Sequence, residues 1–129
     1  LTTLLTLISA RIASIALPRT LKSNSTTTLH LLTENYIQGV SEISIAIGFA
    51  PSPGYPSSLG RFISSAYLGP NKSNTLETIL VPVHVPAAEE LGTAEDVVGS
   101  AALLSLYGAV AAPMVRIFNV TVGIGEEES

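Results

Sequence analysis

Cysteine and tryptophan are absent from this chain of 129 residues, methionine occurs once and histidine twice. Without cysteine there is no disulfide, no thiolate metal site and no cysteine nucleophile. That absence leaves the compartment open, because many extracellular proteins manage without disulfides. Charge is also scarce. Charged residues make up 12% of the chain, about half the usual share of roughly 25%. The six basic residues, Arg11, Arg19, Lys22, Arg61, Lys72 and Arg116, are scattered, so no nucleic-acid footprint forms. No run reaches the roughly 18 apolar residues that read as a membrane-spanning helix. The expectation is no nucleic-acid partner and no integral membrane span.

Hydroxyls stand where charges are missing. Serine and threonine together fill 27 positions, and the net charge is −4. A surface poor in charge does little to oppose association. It suits a protein covered by sugar or by neighbouring subunits. Hydrophobic residues reach 47%, which argues against disorder. One domain of this length buries roughly two-thirds of its unfolded surface, enough for a core without disulfides or metal.

The chain opens on Leu1 and not on methionine, which reads as a processed or truncated start. Residues 1–33 carry Arg11, Arg19 and Lys22 and no acid. That composition resembles a transit peptide, but threonines crowd the stretch and no amphipathic helix emerges. An extended strand segment is the better reading.

Alternation is the clearest structural signal. Ile43, Ile45, Ile47 and Phe49 alternate with Glu42, Ser44, Ala46 and Gly48. Ile79, Val81, Val83 and Val85 form a second run, and Phe118, Val120, Val122 and Ile124 a third. Period two marks strands with one buried face. Pro82 cannot donate to a ladder, so its strand is an edge or is bulged. Weaker strands are read over 26–33 and 61–68. Proline and glycine clusters at 50–56 and 69–74 mark turns. The Gly123-Ile124-Gly125 stretch reads as a frayed end, and Glu126, Glu127 and Glu128 as a solvated acidic tail.

The expected fold is therefore mainly β: an antiparallel β-sandwich or barrel-like domain with an extended N-terminal segment. Residues 1–22 form that segment and 23–129 a single β-rich domain. A short helix near 93–106, starting at Thr93 with Glu95 and Asp96 in its first turn, competes with a loop at 86–96 and a strand at 97–111. Gly99 and Gly108 weaken the helix by about 1 kcal/mol each against alanine.

Asn-X-Ser/Thr, the acceptor pattern for N-linked glycans, occurs at Asn24, Asn71 and Asn119. With only five asparagines, chance supplies roughly one. Asn24 and Asn71 fall in predicted loops and Asn119 on the polar face of its strand. All three are expected at the surface, where a bulky hydrated glycan can sit. Covalent N-linked glycans are expected and no other cofactor.

No chemistry-bearing constellation stands out. His30 and His84 each stand alone among apolar residues, and Asp96 is the lone aspartate. No metal-ligand spacing, nucleophile elbow or phosphate-cradling glycine loop is present. Gly92-Thr93-Ala94, Ser105–Ala109 and Val115–Val120 locally resemble the last helix and strand of pterin-binding dihydropteroate synthases. Arg116 matches that family's arginine, but Phe118 stands where its histidine belongs. The likeness covers under a quarter of the chain, and the family's barrel takes about 250 residues. It implies no barrel and no pterin site here. No catalytic, cofactor-binding or metal residue is assigned, and the chain is not expected to be an enzyme.

The functional expectation is a structural subunit of an extracellular or cell-surface glycosylated filament, pilus or surface assembly. Copies of the chain would join by N-terminal donor-strand exchange, head to tail, as a homopolymer. Leu4, Leu5, Leu7, Ile8, Ile12, Ile15 and Leu17 would form that interface, being too apolar to hang in water. The alternative is a secreted glycoprotein binding module of adhesin or carbohydrate-recognition type. Its best candidate site is the proline-rich loop 50–57 carrying Tyr55.

Overall fold

A computed structural model describes residues 9–92 and 96–129. The chain is mainly β, with eight strands in two sheets among the described residues. The strands are β1 (Ala10–Ala16), β2 (Thr20–Lys22), β3 (Thr26–Asn35), β4 (Val40–Pro51), β5 (Arg61–Tyr67), β6 (Ile79–His84), β7 (Asp96–Tyr107) and β8 (Ala112–Gly125). One sheet has the order β1-β3-β6 and the other β2-β8-β7-β4-β5. All pairs are antiparallel except the short parallel pair of β2 with β8.

The three alternating runs are strands, and apart from Ile43, at the irregularity between Glu42 and Ser44, their apolar sets turn into the core. Ile45, Ile47 and Phe49 of β4 are buried, as are Ile79, Val81 and Val83 of β6 and Val85 just beyond it. They meet Leu29 and Leu31 of β3, Ala101 and Leu103 of β7 and Val122 of β8 in one core. Each fully buried large aliphatic contributes about 1.5–3 kcal/mol by leaving water. β6 is the outer strand of its sheet, where Pro82 forfeits no ladder bond to a further neighbour.

The 93–106 helix does not form from residue 96 onward; Thr93 and Glu95 lie outside the described residues. Asp96–Tyr107 is β7, hydrogen-bonded to β4 on one side and β8 on the other. Period two explains it. Ala101, Leu103, Ser105 and Tyr107 are buried, while Ala102, Leu104 and Leu106 are half-exposed on the opposite face. The strand ends at Tyr107, short of the expected residue 111. Helical residues are confined, among those described, to one 3-10 turn at Ala88–Leu91.

Two smaller expectations change. Gly123–Gly125 is not frayed: it pairs in register with Thr20–Lys22 of β2. The acidic tail folds back, for the Thr27 hydroxyl donates to Glu128 at 2.6 Å and the Ser129 N–H to the Thr20 carbonyl at 3.1 Å.

β4 carries two irregularities that shape the rest of the molecule. One lies between Glu42 and Ser44 against β7, the other between Ile47 and Phe49 against β5. An extra residue on one strand reverses which face the preceding side chains occupy. Glu42, read from the sequence as part of the polar face, therefore points inward and is buried. At the second bulge, Gly60 approaches β4 so closely that a Cβ would sit 2.3 Å from the Phe49 carbonyl oxygen. Its φ of +89° is also a conformation that glycine adopts without strain.

Candidate functional site

The proline-rich loop after β4 folds over the outer face of the five-stranded sheet. The Ser52 N–H donates to the Asp96 carbonyl at 3.1 Å, and a tight turn closes with Gly54 N–H on Pro51 O at 2.8 Å. The Gly60 N–H donates to Ser58 Oγ at 3.0 Å. Between this loop and the sheet lies an open groove of about 910 Å³. Residues 53–59 form its wall. Outward side chains of β7 (Val98, Ser100, Ala102) and β8 (Ile117, Asn119, Thr121) form its floor. Ser100 faces Asn119 across the two strands, and its hydroxyl donates to Asn119 Oδ1 at 2.8 Å. Tyr55, the aromatic singled out in the loop, stands at the rim and is 58% exposed.

From the groove floor the same sheet face continues open and largely apolar. Register places Tyr67, Ser44, Leu104 and Val115 in one row across four strands, and Ser65, Ala46, Ala102 and Ile117 in the next. Tyr67 is 71% exposed and Val115 64%, with Ile63 and Ile117 more than half exposed beside them. Scattered apolar surface residues are ordinary, whereas a group of them on one sheet face is a candidate interaction surface.

The three acceptor asparagines, Asn24, Asn71 and Asn119, are all exposed. Asn24 sits in the β2–β3 turn with φ of +53°, a conformation asparagine adopts more readily than most residues. Asn71 borders a smaller hollow of about 320 Å³ beside β6. Asn119 alone of the three lines the groove.

The proposed interface residues divide. Leu4, Leu5, Leu7 and Ile8 lie outside the described residues. Ile12 is fully buried in the core of its own chain, and Ile15 and Leu17 pack half-buried against that core. β1 pairs with β3 of the same chain, and its free edge is closed by side chains. Ala10 N–H donates to Asn74 Oδ1 at 2.9 Å and Ile12 N–H to Glu42 Oε1 at 2.9 Å. Arg116 Nη2 donates to the Ile12 carbonyl. Arg116 also lies beside the rings of Phe118 and Tyr107, at 5.2 and 5.9 Å from their centroids. Tyr107 meets Tyr36 edge-on at 5.6 Å, and Arg11 stacks 4.1 Å from the Tyr36 ring centre. Sequence reasoning missed the Glu42–Ile12–Arg116 arrangement, because the bulge that turns Glu42 inward leaves no mark on the alternation.

The histidines stay apart from both features. His30 and His84 lie on the exposed face of the three-stranded sheet, opposite Leu80 and Thr26 respectively. Among the described residues no three of histidine, aspartate and glutamate gather to hold a metal ion. Among them, too, no helix is long and apolar enough to cross a membrane.

Comparison with known proteins gives the chain its relatives. The model of the Nis1 family matches residues 8–123. A protein of Colletotrichum orbiculare named necrosis-inducing secreted protein 1 is 45% identical over 127 residues, covering 98% of this chain and 76% of the relative. Its namesake from Colletotrichum higginsianum is also 45% identical over 127 residues, covering 98% of this chain and 86% of the relative. The chain belongs to the Nis1 family. The extracellular location expected from the sequence holds, since these relatives are secreted proteins. The filament, pilus or surface-assembly subunit, and with it the homopolymer joined by donor-strand exchange, is overturned: the relatives are necrosis-inducing proteins. The adhesin or carbohydrate-recognition alternative yields to the same finding. The apolar N-terminal residues misled because the described ones satisfy their need for burial within their own chain.

Proposed function

We propose, from the chain's place in the Nis1 family, that it is a secreted protein that induces necrosis, and that it acts by contact with a protein partner and not by turnover of a substrate. The observation that carries this reading is the 45% identity, running over 98% of the chain, to two proteins that bear that name. A likeness of that extent reaches every strand. The apolar rows on the outer sheet face support the contact half of the reading. Tyr67, Leu104, Val115 and Ile117 offer a surface of the kind that protein partners bury.

The test is to apply purified, folded protein to living host tissue of the Colletotrichum relatives, with the C. orbiculare protein as reference. Necrosis at doses similar to the reference supports the reading, provided that heat-unfolded protein has no effect. Healthy tissue at doses where the reference kills overturns it.

A further inference from the structure

The groove holds the one acceptor asparagine that is not simply a surface residue. Asn119 stands on its floor, in the middle of β8, with Val120 and Thr121 completing the acceptor pattern. The Ser100 hydroxyl engages Oδ1 at 2.8 Å. That bond fixes the amide and leaves Nδ2, the atom to which a glycan attaches, without a protein partner among the described residues. Ser100 itself is only 7% exposed, so the anchoring group is part of the sheet and not a solvated side chain.

We infer that Asn119 carries an N-linked glycan whose first sugars lie in the groove beneath the proline-rich loop. The attachment forms a bond between Nδ2 and the anomeric carbon of the sugar. The bond from that carbon to oxygen in a lipid-pyrophosphate-linked oligosaccharide breaks, Nδ2 loses one proton, and the lipid pyrophosphate leaves. Transfer occurs on the extended chain during secretion, where the Thr121 hydroxyl completes the acceptor. On folding, the sugar finds a site of matching chemistry. Tyr55 offers an aromatic face to the C–H side of a pyranose ring, and an edge that stays wet. Ser57, Ser58 and Thr121 bring hydroxyls for its polar side. The volume of about 910 Å³ is at the upper end of ordinary ligand pockets. The occupant is tethered, so the loss of translational freedom that a free ligand pays on binding is already met.

The consequence is a division of the sheet face. Sugar in the groove covers the end formed by Val98, Ser100 and Asn119, and leaves the Tyr67–Leu104–Val115 row open. The low surface charge then has a local cause, since carbohydrate solvates a face that carries no charged side chain in the groove lining.

The experiment uses protein secreted by eukaryotic cells, wild type and Thr121→Ala. Peptide mass spectrometry is expected to find a hexosamine-containing glycan on Asn119 in the wild type and its complete loss in the variant. An amidase that strips N-glycans and converts the asparagine to aspartate provides a second route should the variant fail to fold. Amide exchange is then followed in residues 53–60, with and without the glycan. Slower exchange in the glycosylated form, lost on stripping, supports the seat in the groove. A bare Asn119 in the secreted protein overturns the proposal, and so does a glycan whose removal leaves the loop unchanged. Neither readout depends on necrosis, so failure here is distinct from failure of the functional reading above.

Discussion

Glu42 and Arg116 hold the two polar groups of one residue, Ile12: the carboxylate accepts its N–H at 2.9 Å and the guanidinium donates to its carbonyl. Ile12 lies on β1, the outer strand of the three-stranded sheet. Both of its backbone groups face away from β3, where an unclosed edge would invite another chain. Side chains from the opposite sheet occupy that edge, so the two sheets are joined there by charge-assisted hydrogen bonds as well as by packing.

Removing the carboxylate leaves two buried donors without a partner, Ile12 N–H and the Ser105 hydroxyl. Glu42→Ala is expected to destabilise the fold by about 3 kcal/mol. A urea titration followed by fluorescence of the tyrosines measures it. A loss below about 0.5 kcal/mol would mean that the edge is closed by other means.

Because both side chains grip one residue, their losses should not add. Arg116→Ala alone is expected to cost about 1–2 kcal/mol, combining the hydrogen bond with the packing against Phe118. In the double variant with Glu42→Ala, β1 is already loosened. The coupling energy is expected to exceed about 0.5 kcal/mol, which a double-mutant cycle in urea reads directly.

The Arg11–Glu34 pair behaves differently. Its bond is 2.8 Å long, but its side chains are 27% and 43% exposed. The hydrogen bond to Glu34 holds the Arg11 guanidinium above its ordinary range, aided by Tyr107 and opposed by the small desolvation. A raised folded pKa gives stability that is complete below the unfolded value and lost only as pH rises through the folded one. Both lie far into alkali for arginine, so this pair adds no pH dependence near neutrality. Glu34→Gln is expected to change stability by under about 1 kcal/mol, measured beside Glu42→Ala in the same titration.

Gly60 positions the wall of the groove. A Cβ there would meet the Phe49 carbonyl oxygen at 2.3 Å, at a φ of +89°. Gly60→Ala is expected to cost more than about 1 kcal/mol and to speed amide exchange in 53–60. A variant as stable as wild type would show that the loop can lift off the sheet without penalty.

The open row on the sheet face separates contact from folding. Tyr67→Ser with Val115→Ser alters two side chains that are 71% and 64% exposed. Stability is expected to stay within about 0.5 kcal/mol for each change, while necrosis is lost. Full activity in a folded double variant would place the contact elsewhere on the molecule.

Much of the fold was legible because alternation is a local property. Ile45, Ile47 and Phe49, or Val81 and Val83, announce a buried face wherever the strand ends up. The 93–106 segment was legible only in part. Its glycines and acids favour neither state, and the choice fell to β4 and β8, which flank β7 on both sides. Glu42 was misread because one bulged residue reverses the face of its neighbours, and bulges depend on the partner strand. The loop carrying Tyr55 was found from its prolines, whereas the groove it makes with Ser100 and Asn119 joins residues far apart in sequence.

By itself the sequence determined a β-rich, disulfide-free, low-charge chain with three acceptor asparagines, because composition, periodicity and short motifs need no partner to be read. Only the tertiary structure decided where the apolar residues of β1 are buried, which way Glu42 points, and which acceptor lies in a groove. Those outcomes follow from strand pairing between distant segments, where register, bulges and the packing of one sheet on the other select the face that each side chain occupies.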